Sequence, residues 1–183
     1  MAGSLSINEI LILKGSYASY ANIEIFVETG TNYGNTILGL YQYFKDLYTV
    51  EIKKEIYDAA VKRIKNFGIQ NIHFYLGDSA VILVNILKII NEPAIFFLDG
   101  HYSHGDTGRG NSDTPLLDEL KIINNNHNKN SVIIIDDYNM FGTNRNEDWT
   151  DITIDNIIKC FSENKIYHQY VNNDRLIILL KEI

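Results

Sequence analysis

Acidic residues recur in this chain at one kind of place, directly after a short apolar run. Glu28 follows residues 23–27, Glu51 follows 47–50, Asp78 comes just after 72–76, Asp99 follows 94–98, and Asp136-Asp137 follow 132–135. Ligands of open α/β sheets bind beyond the carboxyl ends of the strands, so acids there can meet a ligand. Glu28 is followed at once by Thr29-Gly30-Thr31-Asn32-Tyr33-Gly34-Asn35. Gly30 permits a sharp turn, and Gly34 is expected to let a ligand approach the opening of the next helix, whose free N–H groups would face it. Glu28 puts an acceptor where a phosphate-binding loop would have none, which favours a ligand with a cationic or hydroxyl-rich end. Glu51 stands roughly 20 residues after the first glycine, where an acid binds ribose hydroxyls.

Those carboxylates need elements to deliver them. The runs 23–27, 47–50, 72–76, 94–98 and 132–135 have the composition of strands buried on both faces. Between them, residues 35–45, 53–67, 79–90 and 114–125 carry apolar side chains at helical spacing, as Ile37, Leu38, Leu40, Tyr41 and Phe44 show. Strands alternating with helices, joined by right-handed crossovers, build a doubly wound parallel sheet. The end of the chain departs from this rhythm. After a helix at 152–162, the runs 165–171 and 175–180 flank Asn172-Asn173-Asp174, a hairpin signal. The expected fold is therefore α/β, a Rossmann-like seven-stranded sheet, mostly parallel with a C-terminal antiparallel hairpin. Residues 5–21 read as one helix beside or over the glycine turn, so that a helical segment at 1–22 precedes a domain at 23–183. The longest loop, 100–113, contains Gly105, Gly108 and Gly110 and follows a strand's carboxyl end, where functional loops sit. Asp113-Thr114-Pro115 reads as the N-cap and early proline of the next helix.

A chain of 183 residues is long enough to bury one substantial core. Its net charge of −7 argues against a general nucleic-acid binder, which carries a basic face, and leaves a small-molecule or glycan substrate open. Cys160, alone, cannot form an internal disulfide and reads as a buried thiol. No apolar run reaches the ~18 residues of a membrane span. Met1-Ala2-Gly3-Ser4 lacks the regions of a signal peptide and reads as an expression remnant. The expectation is a cytoplasmic protein with no nucleic-acid or membrane partner, homo-oligomerisation being open.

Glu28-Thr-Gly30-Thr-Asn-Tyr-Gly34 resembles the first motif of class I S-adenosylmethionine-dependent methyltransferases, and Val50-Glu51 resembles their second. Leu98-Asp99-Gly100-His101-Tyr102 and Ile135-Asp136-Asp137-Tyr138 resemble the metal-site motifs of the macrocin-type sugar O-methyltransferases. The resemblance covers roughly residues 23 to 181. The resemblance implies S-adenosylmethionine held by Glu28, Thr29, Gly30, Thr31, Asn32, Tyr33, Gly34, Asn35, Glu51, Asp78, Ser79 and Asp99. It also implies Mg²⁺ or Mn²⁺ on Asp99, Asp136 and Asp137, whose carboxylates would repel one another without a cation, and methyl transfer to a hydroxyl of a sugar or sugar-bearing metabolite. An ion there would lower the pKa of the hydroxyl to be methylated.

Several assignments keep two readings. Asp78-Ser79 either contacts the adenine amino group or caps the following helix, and Asp136-Asp137 either bind the ion or cap the next loop. Where the family places an aspartate as general base, two residues after its first metal ligand, this chain has His101. A histidine has a suitable pKa for that task, but His101 can equally contact substrate, with His104 as second candidate for the base. Asp106, Arg109 and Asp113 are expected on the substrate side. Arg109 would grip a phosphate or carboxylate, or else remain solvated. Tyr33, Tyr102, Tyr138 and Trp149 would stack on adenine or sugar faces or merely pack. His73 reads as structural. Two rivals remain, a non-catalytic methyltransferase-like cofactor-binding or partner subunit and an NAD-dependent oxidoreductase. The latter is disfavoured by the G-x-x-x-G spacing and the terminal hairpin.

Overall fold

The computed structural model describes residues 3–105, 107–145 and 147–183. The elements run in the order α1 (Ile7–Ser16), β1 (Ile25–Thr29), α2 (Asn35–Leu40), β2 (Asp46–Glu51), α3 (Lys54–Lys65), β3 (Ile72–Leu76), α4 (Ser79–Ile89), β4 (Ala94–Leu98), α5 (Leu116–Asn126), β5 (Ser131–Ile135), α6 (Ile154–Lys159), β6 (Ile166–Asn172) and β7 (Arg175–Leu180). The strands form one seven-stranded sheet in the order β3-β2-β1-β4-β5-β7-β6. β1 to β5 are parallel, and β7 runs antiparallel to both β5 and β6. This is the mostly parallel sheet with a closing hairpin that the sequence implies. The strand order reverses direction between β1 and β4, and that switch point is where a crevice opens in such sheets.

Alternation along each strand splits the core between two faces. On β4, Phe96 and Leu98 face α4 and α5 with Val27, Val50 and Ile133, whereas Ile95 and Phe97 join Phe26, Ile134 and Leu179 on the other side. Ile10 and Leu13 of α1, Ile37 and Leu40 of α2 and Ile64 of α3 cover that second face. Fully burying each such side chain stabilises the fold by about 1.5–3 kcal/mol. Cys160 is buried in the first cluster.

Three helices differ from expectation, each for a local reason. Residues 5–21 form not one helix but α1 and a 3-10 turn at Ala18–Tyr20, because the chain turns extended at Tyr17 (φ −137°). α1 begins with a capping box, Ser6 Oγ accepting from Glu9 N–H and Glu9 Oε2 accepting from Ser6 N–H. α2 ends at Leu40 rather than near residue 45, since the N–H groups of Lys45 and Asp46 must reach the Glu24 carbonyl to launch β2 beside β1. α6 is confined to Ile154–Lys159, with the Thr153 hydroxyl as its cap. At the start of α5, Asp113 is not the N-cap. Pro115 holds that position, and the Asp113 carboxylate instead pairs with Arg109 and accepts from Asp148 N–H. Among the described residues, no helix is long and apolar enough to cross a membrane.

Candidate active site

The carboxyl ends of β1 to β4 open into one cleft lined by Gly30, Asn32, Glu51, Asp78, Ser79 and Asp99. β1 breaks at Gly30, where φ is +84° and a Cβ would strike the Asp99 carbonyl just past β4. The amides of this turn are engaged within the protein. The Gly30 and Thr31 N–H groups donate to the Val50 carbonyl at 2.9 and 3.1 Å, and Asn32 N–H donates to Glu51 Oε2 at 2.9 Å. The end of β2 lies within reach and would otherwise keep unpaired acceptors. Gly34 serves packing rather than ligand approach, because its φ is +74° and a Cβ would press on the Ile64 side chain. Arg63 binds the Tyr33 carbonyl and Asn35 Oδ1 at 2.8 and 2.7 Å, and Tyr33, Gly34 and Asn35 stand outside the cleft lining.

Glu51 is the best-prepared acceptor in the cleft. Its Oε2 takes the Asn32 amide and its Oε1 takes the Lys53 amide, each at 2.9 Å, so the carboxylate is fixed in position. Each oxygen retains a further lone pair for a ligand hydroxyl. Glu28 lies beneath, fully buried. Thr49, its register partner on β2, donates to Glu28 Oε2 at 2.8 Å and meets Thr31 Oγ1 at 2.6 Å. Burial pushes the Glu28 carboxyl up to about 8 against the hydroxyls of Thr49 and Thr36, which favour its anion. Asp78 caps α4, Oδ1 accepting from Ala80 N–H at 2.9 Å, and the residue also borders the cleft.

Beyond Asp99 the chain builds an acid–histidine cluster. The His101 ring stands between two carboxylates, with Nδ1 3.5 Å from Asp99 Oδ1 and Nε2 3.4 Å from Asp137 Oδ2. Trp149 packs edge-on against it, with centroids 5.0 Å apart. Burial lowers the His101 pKa, opposed by the charges of Asp137 and Glu147. Asp99 is raised well above the usual carboxylate range by burial and by the neighbouring charges of Asp136, Asp137 and Glu28. Asp137 is also raised, first by burial. It is held in the left-handed region at φ +54°, an uncommon conformation for a non-glycine residue and one that clusters at functional sites.

One ligand atom each from Asp99, His101 and Asp137 lies within 4.8 Å of the others, a spacing that fits a divalent ion. This trio includes His101 and omits Asp136 of the set that the resemblance implies. Asp136 is 3% exposed, and its Oδ1 receives the Arg175 guanidinium at 3.0 Å, so that charge is compensated by the protein. Arg175 also binds Glu9 Oε1 at 2.5 Å and the Gly3 carbonyl, which ties the start of the chain to β7. Residues 1–2 of the suggested remnant lie outside the described residues, but Gly3 takes part in this contact.

The weaker substrate assignments scatter. Arg109 pairs with Asp113 at 2.7 Å and lies over the Tyr102 ring while its side chain stays largely solvated, so its guanidinium is engaged within the loop. His104 Nε2 is 4.0 Å from Glu147 Oε1 and its ring packs on Tyr102. Tyr138 packs against Phe141. Asp106 lies outside the described residues. His73 pairs with Asp46 at 2.8 Å, a structural role.

No protein-family model and no curated protein matches the chain. Solved structures do. The SAH-bound methyltransferase PaMTH1 of Podospora anserina superposes with a TM-score of 0.64 at 16% identity, over 97% of this chain and 80% of that one. The O-methyltransferase TomG of Streptomyces achromogenes, solved with SAM, gives 0.61 at 14% identity over 98% and 82%. An S-adenosylmethionine-dependent methyltransferase from Clostridium acetobutylicum gives 0.57 at 12% over 96% and 89%. The fold is one that these methyltransferases share. At these identities the likeness speaks for the fold, and the chemistry has to be argued from the side chains.

Two acids of this methyltransferase fold escape a reading by motif. Glu119 on α5 is 1% exposed, with burial raising its pKa to about 7 against the nearby hydroxyls of Ser79 and Thr29, and among the described residues its Oε1 makes no well-formed hydrogen bond. Thr29 Oγ1, also buried, lies with it beneath Gly100. The signal was present, since Glu119 interrupts the apolar face formed by Leu116, Leu120 and Ile123. Glu147 is buried and accepts from Trp149 Nε1 at 3.2 Å near the His101 cluster. Nothing in its surrounding sequence marks it.

Proposed function

We propose that the protein is an S-adenosylmethionine-dependent O-methyltransferase acting on a hydroxyl of a sugar or sugar-bearing small molecule. The observation that carries this reading is Glu51. It is a carboxylate fixed by two backbone amides at the end of β2, beside the switch point, with lone pairs left for vicinal hydroxyls. A ribose fits that chemistry, and Asp78 at the end of the next strand would meet the adenine. The methyltransferases of like fold support the assignment, as PaMTH1 is SAH-bound and TomG was solved with SAM. The sugar acceptor rests on the resemblance of the Asp99–Tyr102 and Asp136–Tyr138 motifs.

S-adenosylmethionine would supply an electrophilic methyl group. The chain's own task is alignment and proton removal. His101, kept neutral by burial, is an acceptor for the proton of a hydroxyl brought between Asp99 and Asp137, and those carboxylates stabilise the imidazolium that forms. In place of that role, the same three side chains are a donor set for a divalent ion, with the His101 lone pair then on the ion and the proton left to solvent, and an imidazole among them suits Mn²⁺ better than Mg²⁺, which prefers oxygen alone. Bound there, an ion would lower the pKa of the acceptor hydroxyl.

The test is transfer of labelled methyl from S-adenosylmethionine to a panel of sugars and glycosides, with and without a chelator. Methyl transfer that a His101→Ala substitution slows by ~10²–10⁴-fold is the expected result. Mn²⁺ binding is read separately, as a rise in melting temperature that Asp137→Asn abolishes. No transfer to any hydroxyl by a protein that binds the cofactor would overturn the enzymatic reading in favour of a binding subunit.

A further inference from the structure

The segment 107–113 is placed where no strand-end motif would require it, laid across the ends of β2 and β3. A Cβ on Gly108 would collide with Ile52 Cγ2 and crowd Lys53. A Cβ on Gly110 would stand 3.2 Å from Asp78 Oδ2 and 3.3 Å from Ile52 Cδ1. Neither glycine has a positive φ that would explain its choice, so closeness of approach is the reason for both. Ile52 and Asp78 themselves line the cleft, as do Thr107, Gly108, Gly110, Asn111 and Ser112 of the crossing segment.

The crossing is fastened at both ends. Thr107 Oγ1 donates to the His104 carbonyl at 2.9 Å and accepts from Ser103 N–H at 3.0 Å. At the other end Arg109 Nε pairs with Asp113 Oδ1 at 2.7 Å, with its guanidinium over the Tyr102 ring, and Tyr102 N–H donates to the Asp113 carbonyl at 2.8 Å. Asp113 Oδ2 accepts from Asp148 N–H at 3.1 Å, which anchors the segment to the loop carrying Trp149. Arg109 and Asp113 thus act on each other and not on a ligand anion.

We propose that residues 107–113 are a glycine strap that walls the adenosine half of the cleft, so that Gly108 and Gly110 are positioning residues for the cofactor and its exchange requires the strap to lift from Ile52. This rests on the reading of the cleft as an S-adenosylmethionine site. The strap contributes backbone and small side chains, which suits a flat, uncharged nucleoside and not a phosphate. Lifting it leaves the strand-end acids in place. Its loss therefore acts on residence time more than on the fold.

The probe is S-adenosylhomocysteine, followed by surface plasmon resonance on the immobilised full chain. Gly108→Ala should raise the dissociation rate about tenfold, because differences between related complexes lie mostly in that rate. In an Ile52→Ala background, which removes the Cγ2 atom the new methyl would strike and leaves only the looser contacts with Lys53, the same substitution should change the rate less than about threefold, a coupling that a double-mutant cycle reads directly. Amide hydrogen exchange over 107–113 should slow when the ligand is added. Wild-type binding with a dissociation rate indifferent to Gly108→Ala would overturn the strap while leaving the cofactor reading intact. Equal effects in both backgrounds would also overturn it. Absence of binding by the wild type would remove the cofactor reading, and the strap's role with it.

Discussion

Glu28 offers a pH-dependent prediction whose size follows from its surroundings. Its carboxyl is fully buried below the glycine turn, and burial raises its pKa to about 8 although Thr49 and Thr36 donate to it and Glu51 adds a further raising charge. In the unfolded chain a glutamate titrates near ~4.3. Between those values the folded state keeps a proton that the unfolded state has released. The stability from this group is therefore fully present below ~4.3 and is lost as pH rises through about 8. A gap of roughly 3.7 pH units at ~1.36 kcal/mol each sets a ceiling of about 5 kcal/mol, which water reaching the cleft floor would reduce to about 2–4 kcal/mol. Glu28→Gln keeps the shape and the acceptor for Thr49 but cannot ionise. Urea unfolding followed by circular dichroism should find the variant ahead by no more than about 1 kcal/mol at pH 5, where the loss has just begun, and by that full amount at pH 8.5. Glu119, raised to about 7, weakens both proteins in parallel, so the difference between them isolates Glu28. Parallel stability curves from pH 5 to 8.5 would refute the reasoning.

Glu51→Ala removes the carboxylate that Asn32 and Lys53 fix and should weaken S-adenosylhomocysteine binding by about 1.5–3 kcal/mol per charge-assisted bond lost, read by calorimetry on a protein that still melts cooperatively. Unchanged affinity would remove Glu51 from the site. Arg175→Met strands the buried Asp136 charge and frees Glu9, and should cost about 3–5 kcal/mol in urea unfolding, largely regained when Asp136→Asn is added. If the double variant is no more stable than the single one, the buried pair is not what Arg175 supplies.

The architecture was legible because apolar runs and helical spacing alternate without interruption. β3, β4 and β7 lie at the bounds their residues imply, and the Asn172-Asn173-Asp174 turn does reverse the chain. Short-range signals failed where long-range pairing competed. α2 stops early because Lys45 and Asp46 are needed at Glu24, and the turn amides serve the β2 end because β2 is their parallel neighbour. Strand-end acids likewise showed where a site would form, though not how each charge would be compensated. Asp136 looks like its neighbour Asp137 until Arg175, distant in sequence, closes on it and leaves His101 as the third member of the cluster. Glycines 108 and 110 marked only a long loop in sequence, whereas in the fold they allow contact with Ile52 and Asp78.

The central claim is that the cleft at the ends of β1 to β4 binds S-adenosylmethionine. Isothermal titration of the wild-type chain with S-adenosylhomocysteine at neutral pH, repeated with NAD and with adenosine, tests it directly. The account predicts saturable one-to-one binding of S-adenosylhomocysteine, weaker binding of adenosine and none of NAD. Saturable binding of NAD with no heat from S-adenosylhomocysteine would contradict it.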